Sequence, residues 1–296
     1  VIVGFPGERD DDFREMLDKE RPDLVDICTW HLLHAPQTVA AAEYQPKGIL
    51  CEKPMAVDLE SADRMIDACA SQGVKLAISH QRRFYSSWTK ARELIAEGAV
   101  GRPQMVTARA GEGLLNCGTH EVDAIRYLLG DPEAEWVMGA VERKTDRHER
   151  DVKIEDRCMG LIAFQGGVQA LIQSDLTQDW SVENYRILGT EGMMDVSSTD
   201  IAMLNGESGG WNTVETEVLD PWAAQAREMV GWIEGRNGHR GEGAQARRTT
   251  ELLMGIYQSA RKHEVVHIPI TEKGYPLDMM VAEGKLPVEE TGRHDI

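Results

Sequence analysis

The order of apolar and polar positions predicts alternating strands and helices over roughly the first 80 residues. Short apolar runs at 24–28, 49–51 and 75–79 predict three strands. Helical spacing of apolar positions predicts three helices, the first starting near residue 12, the second over 36–43 and the third over 59–72. Asp58 is the expected N-cap of the third helix, and Gly73 is expected to end it. Strands that alternate with helices are typical of βαβ units, so this segment predicts a parallel sheet covered by helices.

The pattern changes after residue 84. Two helices are predicted at 87–98 and 119–129, followed by strands at 136–141, 158–164, 168–176, 185–188, 193–196, 201–204 and 214–219. Two more helices are predicted, one from Asp220-Pro221 and one over 244–262, and then a strand at 265–270. We therefore predict a partial Rossmann domain at 1–84 and an α+β domain at 85–296 with a large, mainly antiparallel open sheet.

One predicted hairpin strand has two unlike faces. Gly166-Gly167 marks the turn that precedes it. The apolar face holds Val168, Ala170 and Ile172, and the other face holds Gln169, Gln173 and Asp175. Alternation of this kind predicts one packed face and one semi-polar face, which either stays wet or meets another subunit.

Charge and cysteine content exclude several classes of protein. The formal net charge is −18, and no cluster of Lys and Arg is present to neutralise phosphates, so neither nucleic acid nor an anionic membrane is an expected partner. The five cysteines are odd in number, widely spaced and form no C-x-x-C, which argues against disulfides or zinc and for a reducing compartment. No apolar run approaches the ~20 residues of a membrane span and no signal peptide is evident, so we expect a cytoplasmic protein.

Polar side chains follow each of the first three predicted strands. The segments 29–34, 52–54 and 80–84 bring His, Glu, Lys and Arg to the carboxyl ends of parallel strands, where open α/β sheets bind ligands. Lys53 is the strongest candidate, because Pro54 stiffens the turn and partial desolvation there would lower the pKa of the lysine. The alternative is an exposed loop cation.

A second candidate segment is glycine-rich and spans 111–123. It leads into a helix whose first turn carries His120, with Asp123 one turn later on the same side. The positive end of the helix dipole favours neutral imidazole, the form that a general base needs. Asn116 offers a hydrogen bond to a substrate hydroxyl. The alternative is that His120 only packs or caps the helix.

These segments together resemble the Gfo/Idh/MocA oxidoreductases. The similar segments are CEKPMA at 51–56 (the family's C-E-K-P-x-A), TWHLLH at 29–34 (T-P-x-x-x-H, with Trp30 for proline), HQRRF at 80–84 (x-x-R-R-F) and GLLNCGTHEVD at 113–123. Residues 220–235 and 244–270 resemble the family's closing helices and strand. The resemblance covers nearly the whole chain.

The resemblance implies a function and a set of site residues. It implies oxidation or reduction of a sugar, inositol or related polyol with NAD(H) or NADP(H), and a homo-oligomer paired through the open sheet. The implied catalytic residues are Lys53, His120 and Asn116. Those implied for the cofactor are Thr29, Trp30, His31, His34, Glu52, Lys53 and Gln81. Those implied for the substrate are Lys53, Arg83, Asn116, His120 and Asp123.

Two departures from the family pattern affect these expectations. Asn116 stands where many members have Asp and cannot take up a proton. The family also opens with a G-x-G-x-x-G unit, which Gly4 and Gly7 do not form. We therefore expect a fragment, or a natural variant that has lost dinucleotide binding, with the edge of the 24–28 strand unpaired. Two alternatives are a redox-assisted lyase or glycosidase and a non-catalytic sugar-binding protein.

Overall fold

A computed structural model describes residues 2–3, 10–176, 184–206 and 209–296. The N-terminal part contains a parallel sheet in the order β1-β2-β3-β4, with helices between the strands. Its strands are β1 (Ile2–Val3), β2 (Leu24–Ile27), β3 (Gly48–Cys51) and β4 (Lys75–Ile78). Its helices are α1 (Asp10–Glu20), α2 (His31–Glu43) and α3 (Leu59–Gln72). This arrangement confirms the predicted parallel α/β sheet.

The expectation of an unpaired edge at β2 is wrong. β1 runs parallel to β2, with Ile2 opposite Asp26 and Val3 opposite Ile27, and α1 follows β1 before β2 begins. An unpaired edge presents free backbone N–H and C=O groups, and the short β1 occupies part of that edge. Gly4 and Gly7, the residues compared with the family's phosphate loop, belong to the segment 4–9, which lies outside the described residues.

The helix predicted at 36–43 begins five residues earlier, at His31. Pro36 lies inside it. A proline lacks the N–H that would bond the carbonyl four residues back, which is why the sequence pattern placed the start at Pro36. His31 and His34 therefore lie in the first turns of a helix rather than in a loop. The boundaries of α3 agree with prediction: Asp58 accepts a hydrogen bond from the Ser61 N–H (2.7 Å), and Gly73 takes a left-handed conformation after the last turn.

The larger sheet has nine strands in the order β14-β13-β12-β11-β5-β10-β9-β6-β15. Neighbours are antiparallel except β5 and β10, so the mainly antiparallel open sheet is confirmed. Its strands are β5 (Pro103–Ala110), β6 (Ala134–Glu142), β9 (Arg157–Phe164), β10 (Gln169–Ser174), β11 (Tyr185–Gly189), β12 (Gly192–Val196), β13 (Ile201–Asn205), β14 (Asn212–Val214) and β15 (Val266–His267). The predicted faces of β10 are confirmed, with Ala170 and Ile172 buried and Gln169 and Gln173 partly exposed.

Several elements differ from the sequence-based expectation. The central strand β5 was not predicted, and nor was a small sheet of β7 (Thr145–Glu149), β8 (Val152–Lys153) and β16 (Glu290–Asp295). The strands expected at 214–219 and 265–270 are shorter and shifted. After the first of these strands the chain enters a helix at Pro221, and Pro269 follows the second strand. A proline has no backbone N–H to donate to a neighbouring strand.

Helices cover one face of the nine-stranded sheet. They are α4 (Ser86–Ala96), α5 (Gly118–Leu128) and α7 (Gly243–Lys262), and α8 (Pro276–Ala282) packs on α7. A Cβ on Gly139 would lie 2.2 Å from the Ile256 carbonyl oxygen, and one on its cross-strand partner Gly160 would lie 2.5 Å from Ile256 Cδ1. The two glycines therefore let α7 lie directly on β6 and β9.

The C-terminal half also touches the first sheet. Helix α6 (Pro221–Ile233) packs on β3 and on a 3₁₀ turn at Gln81–Phe84, and the Ile78 N–H donates to the Gly241 carbonyl (2.8 Å). This return of the chain fixes the carboxyl edge of the parallel sheet against α5 and α7. The division at residues 84 and 85 stays a prediction. Within the described ranges, no helix is both long enough and apolar enough to cross a membrane.

Candidate active site

The three polar segments after β2, β3 and β4 meet at one edge, as the sequence predicts. The Glu52 N–H donates to the Ile27 carbonyl (2.8 Å), and the Ser79 N–H donates to the Cys51 carbonyl (2.8 Å). His34 joins two of the segments, because its Nδ1 lies 2.7 Å from the Pro54 carbonyl oxygen and its Nε2 lies 3.0 Å from that of Thr29. The imidazole is fully buried, and burial lowers the pKa of His34 to about 4 despite the two carbonyls.

Lys53 lies against the glycine-rich segment that precedes α5. Its ammonium donates to the side-chain oxygen of Asn116 (2.9 Å) and to the backbone oxygen of the same residue (3.3 Å). Burial lowers the pKa of Lys53, while the nearby Cys117 and Glu52 oppose that shift. A lysine with a lowered pKa is better able to give up and take back a proton near neutral pH.

His120 occupies the first turn of α5, as predicted, and is buried. Its ring meets that of His80 edge to face, with centroids 6.2 Å apart. Burial lowers the pKa of His120 well below its ordinary value, and the charges of Arg82 and Lys53 lower it further. The imidazole is therefore neutral near pH 7. Lys53 and His120 are 67 positions apart in the sequence and interact electrostatically in the fold.

Two predicted substrate residues, Arg83 and Asp123, bind each other. The Arg83 Nε and Nη2 donate to the two carboxylate oxygens of Asp123 (2.6 and 2.9 Å), and Nη2 also donates to Asp131 (2.8 Å). Burial raises the pKa of the Asp123 carboxyl, but Arg83 outweighs it and the pKa is about 2. Both side chains are almost wholly buried, and their predicted contact with substrate stays a prediction.

The remaining predicted cofactor residues differ in exposure. The Thr29 hydroxyl donates to the Gln37 side chain (2.7 Å), and Gln81 is partly exposed at the start of the 3₁₀ turn. Trp30 is 54% exposed at the N-cap of α2. Glu52 is partly exposed, and its carboxylate accepts a hydrogen bond from the Lys53 N–H (3.2 Å).

Sequence reasoning missed the β7–β8 hairpin as part of the site. The Glu149 carboxylate lies 2.9 Å from His31 Nδ1, with both side chains buried, and Arg150 pairs with Glu149 at 3.0 Å. Glu149 and Arg150 also act electrostatically on Lys53. The turn residues Arg150 and Asp151 both have positive φ, a conformation that Gly or Asn usually signals, so no residue type there predicts a turn.

Two further residues near the site come from the glycine-rich segment itself, Cys117 beside Lys53 and Glu112 beside Cys117. The Cys117 thiol donates to the Glu112 carboxylate (3.5 Å). Burial raises the pKa of Cys117 to about 11, with Lys53 opposing and Glu112 reinforcing the shift. The sequence signal for both was their place in the loop that carries Asn116.

Comparison with known families decides what kind of chain this is. Residues 5–80 match the family described as "Oxidoreductase family, NAD-binding Rossmann fold" (GFO_IDH_MocA), and residues 107–195 match the GFO/IDH/MocA C-terminal domain. The two matches together cover more than half of the 296 residues. The chain belongs to the Gfo/Idh/MocA oxidoreductase family. The resemblance inferred from the four motifs is thereby confirmed.

Individual members of the family show moderate similarity. The chain is 32% identical to 1,5-anhydro-D-fructose reductase of Ensifer adhaerens over 199 residues, which span 61% of this chain and 58% of that protein. It is 25% identical to D-xylose 1-dehydrogenase (NADP(+)) 2 of Haloferax volcanii over 86% of this chain and 83% of the other. The solved aldose-aldose oxidoreductase from Caulobacter crescentus, complexed with glycerol, shares the fold, with a TM-score of 0.78, 23% identity and 90% coverage of both chains.

The polar groups at the carboxyl edge fit the nicotinamide end of a dinucleotide. His31 Nε2 and His120 Nδ1 are buried and have no hydrogen-bond partner among the described residues. Buried polar atoms are nearly always paired, so these two ring nitrogens are open to further polar groups. A nicotinamide carboxamide and a substrate hydroxyl supply groups of that kind.

Proposed function

We propose that the protein transfers a hydride between NAD(H) or NADP(H) and a CH–OH group of a sugar, inositol or related polyol. The observation that carries the proposal is the contact between the partly buried Lys53 ammonium and Asn116 at the carboxyl edge of the parallel sheet. That edge is where open α/β folds bind nucleotides and their substrates. Membership of an NAD-binding oxidoreductase family supports the same reaction class.

Lys53 and His120 handle the proton of the reacting hydroxyl. Nicotinamide, when bound, accepts or returns the hydride. A base that removes the hydroxyl proton as the hydride leaves contributes ~10²–10⁴ in rate. Lys53 fits this role because burial lowers its pKa, and His120 fits as a neutral hydrogen-bond partner. Asn116 orients the ammonium and takes up no proton itself.

The residues proposed to hold the cofactor lie on the nicotinamide side of the same edge. They are Thr29, Trp30, His31, His34, Glu52, Lys53 and Gln81. His34 acts by linking Thr29 to Pro54, and Glu149 acts through its carboxylate, which lies 2.9 Å from His31 Nδ1. Lys53, Asn116 and His120 are the proposed substrate contacts, supported by the Arg83–Asp123 pair behind them.

The names of relatives favour a sugar as substrate. One is a reductase of 1,5-anhydro-D-fructose and another a D-xylose dehydrogenase that uses NADP(+). These names favour neither an eliminating enzyme nor a non-catalytic binding protein. The choice between NAD and NADP stays open in this proposal.

An assay of reduced nicotinamide tests the proposal. The purified protein would be incubated with NAD+ or NADP+ and D-xylose, D-glucose or myo-inositol, and in the reverse direction with NADH or NADPH and 1,5-anhydro-D-fructose. We expect turnover with at least one pair, and its loss in Lys53→Met. Retained cofactor binding in the variant, measured by calorimetry, would assign the loss to chemistry. Binding of a sugar with no binding of either cofactor would overturn the proposal.

We also propose that the protein is a homo-oligomer that pairs through the uncovered face of the nine-stranded sheet. Met138 and Met159 on that face are 45% and 44% exposed. Leu161 lies opposite Met138 on one side and Leu171 on the other, and Met159 lies opposite Gln173. A contiguous apolar area on a sheet face is typical of a protein interface. Two-fold pairing is the commonest way to cover such a face.

A further inference from the structure

The loop that carries Asn116 is held by two carboxylates from the nine-stranded sheet. Asp175, just after β10, accepts from the N–H groups of Glu112 (3.0 Å) and Gly113 (2.8 Å). Glu155, just before β9, accepts from the next N–H, that of Leu114 (2.6 Å). Three successive backbone donors of one loop are therefore bound by side chains far away in the sequence.

The loop needs this support because of its backbone conformation. Glu112 and Gly113 both have positive φ (55° and 84°), which side-chain-bearing residues such as Glu112 seldom adopt. A Cβ at Gly113 would lie 3.2 Å from Ile154 Cδ1, so the loop passes close to the segment that bears Glu155. The Gly113 carbonyl then accepts from the N–H groups of Cys117 and Gly118 (3.2 and 3.1 Å). This arch holds Asn116 between its two ends.

The two carboxylates are themselves fixed. Arg147 Nη1 lies 3.3 Å from Asp175 Oδ2 and donates to the Glu155 backbone carbonyl (3.0 Å). The Tyr257 hydroxyl, on α7, donates to the second oxygen of Glu155 (2.7 Å). Glu155 is fully buried, whereas Asp175 is partly exposed. The loop is thus joined to the rigid sheet and to α7, and not only to its own helix α5.

We propose that Glu155 and Asp175 are positioning residues for the reaction at Lys53. By binding three amides of the 112–114 loop, they fix the place of Asn116 against the Lys53 ammonium. Neither carboxylate touches Lys53 in this arrangement, and both act through the loop. This inference rests on the proposed catalytic role of Lys53. A misplacement of about 1 Å in such a group lowers turnover by ~10².

Three variants separate positioning from general stability. Asp175→Asn replaces one acceptor oxygen by an NH₂ group that must face a backbone N–H. The substitution does not strain the backbone, because Asn readily adopts the left-handed conformation of residue 175 (φ 56°). Glu155→Gln keeps a carbonyl for Leu114 and an NH₂ that can donate to the Tyr257 oxygen. Asp156→Asn is the matched control, since Asp156 bonds the Thr145 N–H (2.8 Å) in the same region and has no contact with the 112–114 loop among the described residues.

Hydrogen–deuterium exchange and kinetics are the readouts. In Asp175→Asn, we expect exchange in peptides that cover 111–117 to accelerate about tenfold or more, and kcat to fall ~10- to 100-fold. KM for the cofactor should change less than about twofold. Glu155→Gln should stay within about threefold of wild type in exchange and kcat. Asp156→Asn should accelerate exchange only near residue 145 and leave kcat unchanged.

A third readout does not depend on turnover. The rate at which trinitrobenzenesulfonate modifies Lys53, followed by peptide mass spectrometry against pH, reports the pKa and access of this amine. We expect Asp175→Asn to change that profile and Asp156→Asn to leave it as in wild type. Unchanged exchange at 111–117 in Asp175→Asn would overturn the proposal, and so would faster exchange with unaltered kcat and Lys53 labelling. If no substrate is turned over, the hydrogen–deuterium exchange and the Lys53 labelling measurements still test the proposal.

Discussion

The Lys53 ammonium lies 2.9 Å from the side-chain oxygen of Asn116, and Asn116 is buried while Lys53 is partly buried. This contact joins the two motifs that the sequence marked separately. An amide oxygen stabilises the charged lysine less than a carboxylate does, while burial favours the neutral form. The residue at position 116 therefore sets how readily Lys53 loses its proton.

Substitutions at position 116 should move the pKa of Lys53 in opposite directions. Asn116→Asp adds a negative charge and raises the pKa. Asn116→Leu, of similar size, removes the side-chain acceptor, keeps only the backbone oxygen, and lowers the pKa. In the oxidation direction, the rate rises with pH as Lys53 loses its proton. The pH at which the rate is half-maximal therefore moves up in Asn116→Asp and down in Asn116→Leu. The pH profile of kcat/KM measures this. Because Asp is common at this position in the family, Asn116→Asp should keep activity or raise it at pH values above its midpoint. Midpoints that stay in place in both variants would contradict the contact.

The Arg83–Asp123 pair should contribute strongly to stability. Asp123→Ala leaves a buried guanidinium with part of its partners removed, which costs about 3–5 kcal/mol. The exposed pair of Arg186 and Asp195 has similar two-point geometry, so Asp195→Ala is the control and should cost less than about 1 kcal/mol. Urea unfolding measures both values. Equal losses in the two variants would argue against a framework role for Asp123.

Acid should destabilise the protein through its buried histidines. The pKa of His80 is lowered by burial to about 4, against an unfolded value of 6.5, and that of His34 is likewise about 4. The unfolded chain therefore binds more protons between pH 6.5 and 4, and the free energy of unfolding falls by up to ~1.4 kcal/mol per pH unit for each histidine. Asp123, with a pKa of about 2, contributes to acid loss only below this window.

Calorimetric melting between pH 4 and 7 tests this prediction. His80→Gln should reduce the pH dependence of the unfolding free energy by up to ~1.4 kcal/mol per unit. His267→Gln is the control, because this ring lies exposed on β15 and should leave the slope unchanged. A slope in His80→Gln equal to that of wild type would contradict the buried neutral state of His80.

Light scattering tests the proposed pairing through the uncovered sheet face. We expect a dimer or tetramer at micromolar concentration and a shift toward monomer in Met159→Lys, since a charge at the centre of an apolar contact must be desolvated. Val218→Lys changes an apolar residue that is 82% exposed outside that sheet and should leave the assembly unchanged. A wild-type monomer, or an assembly insensitive to Met159→Lys, would exclude this face.

The parts of the site found from sequence are those encoded by short segments. Lys53, Asn116 and His120 each lie at a strand end or helix start, where local pattern determines position. Pairing over long distances was not visible in this way. Glu155 and Asp175 bond a loop 41 to 63 positions away. Nothing around them marks that partner.

Two features could not be interpreted fully from the sequence, because the tertiary partner of a charge or a proline is not visible there. The family resemblance implied that Arg83 binds substrate, and the structure shows that Asp123 and Asp131 also bind it in the interior. Pro36 was predicted to start a helix, yet α2 begins at His31, whose Nδ1 lies 2.9 Å from the Glu149 carboxylate. The missed strand β5 begins at Pro103 and has three polar residues among its eight at irregular spacing, so its weak alternation did not stand out.

The most direct measurement is the steady-state turnover of Lys53→Met beside its affinity for NAD(H) or NADP(H). Met matches the length of lysine and has no proton to exchange, so kcat should fall by at least ~10². The dissociation constant of the cofactor should change by less than about tenfold, or ~1.4 kcal/mol. Near-normal turnover in Lys53→Met would contradict the account and make Lys53 a structural cation.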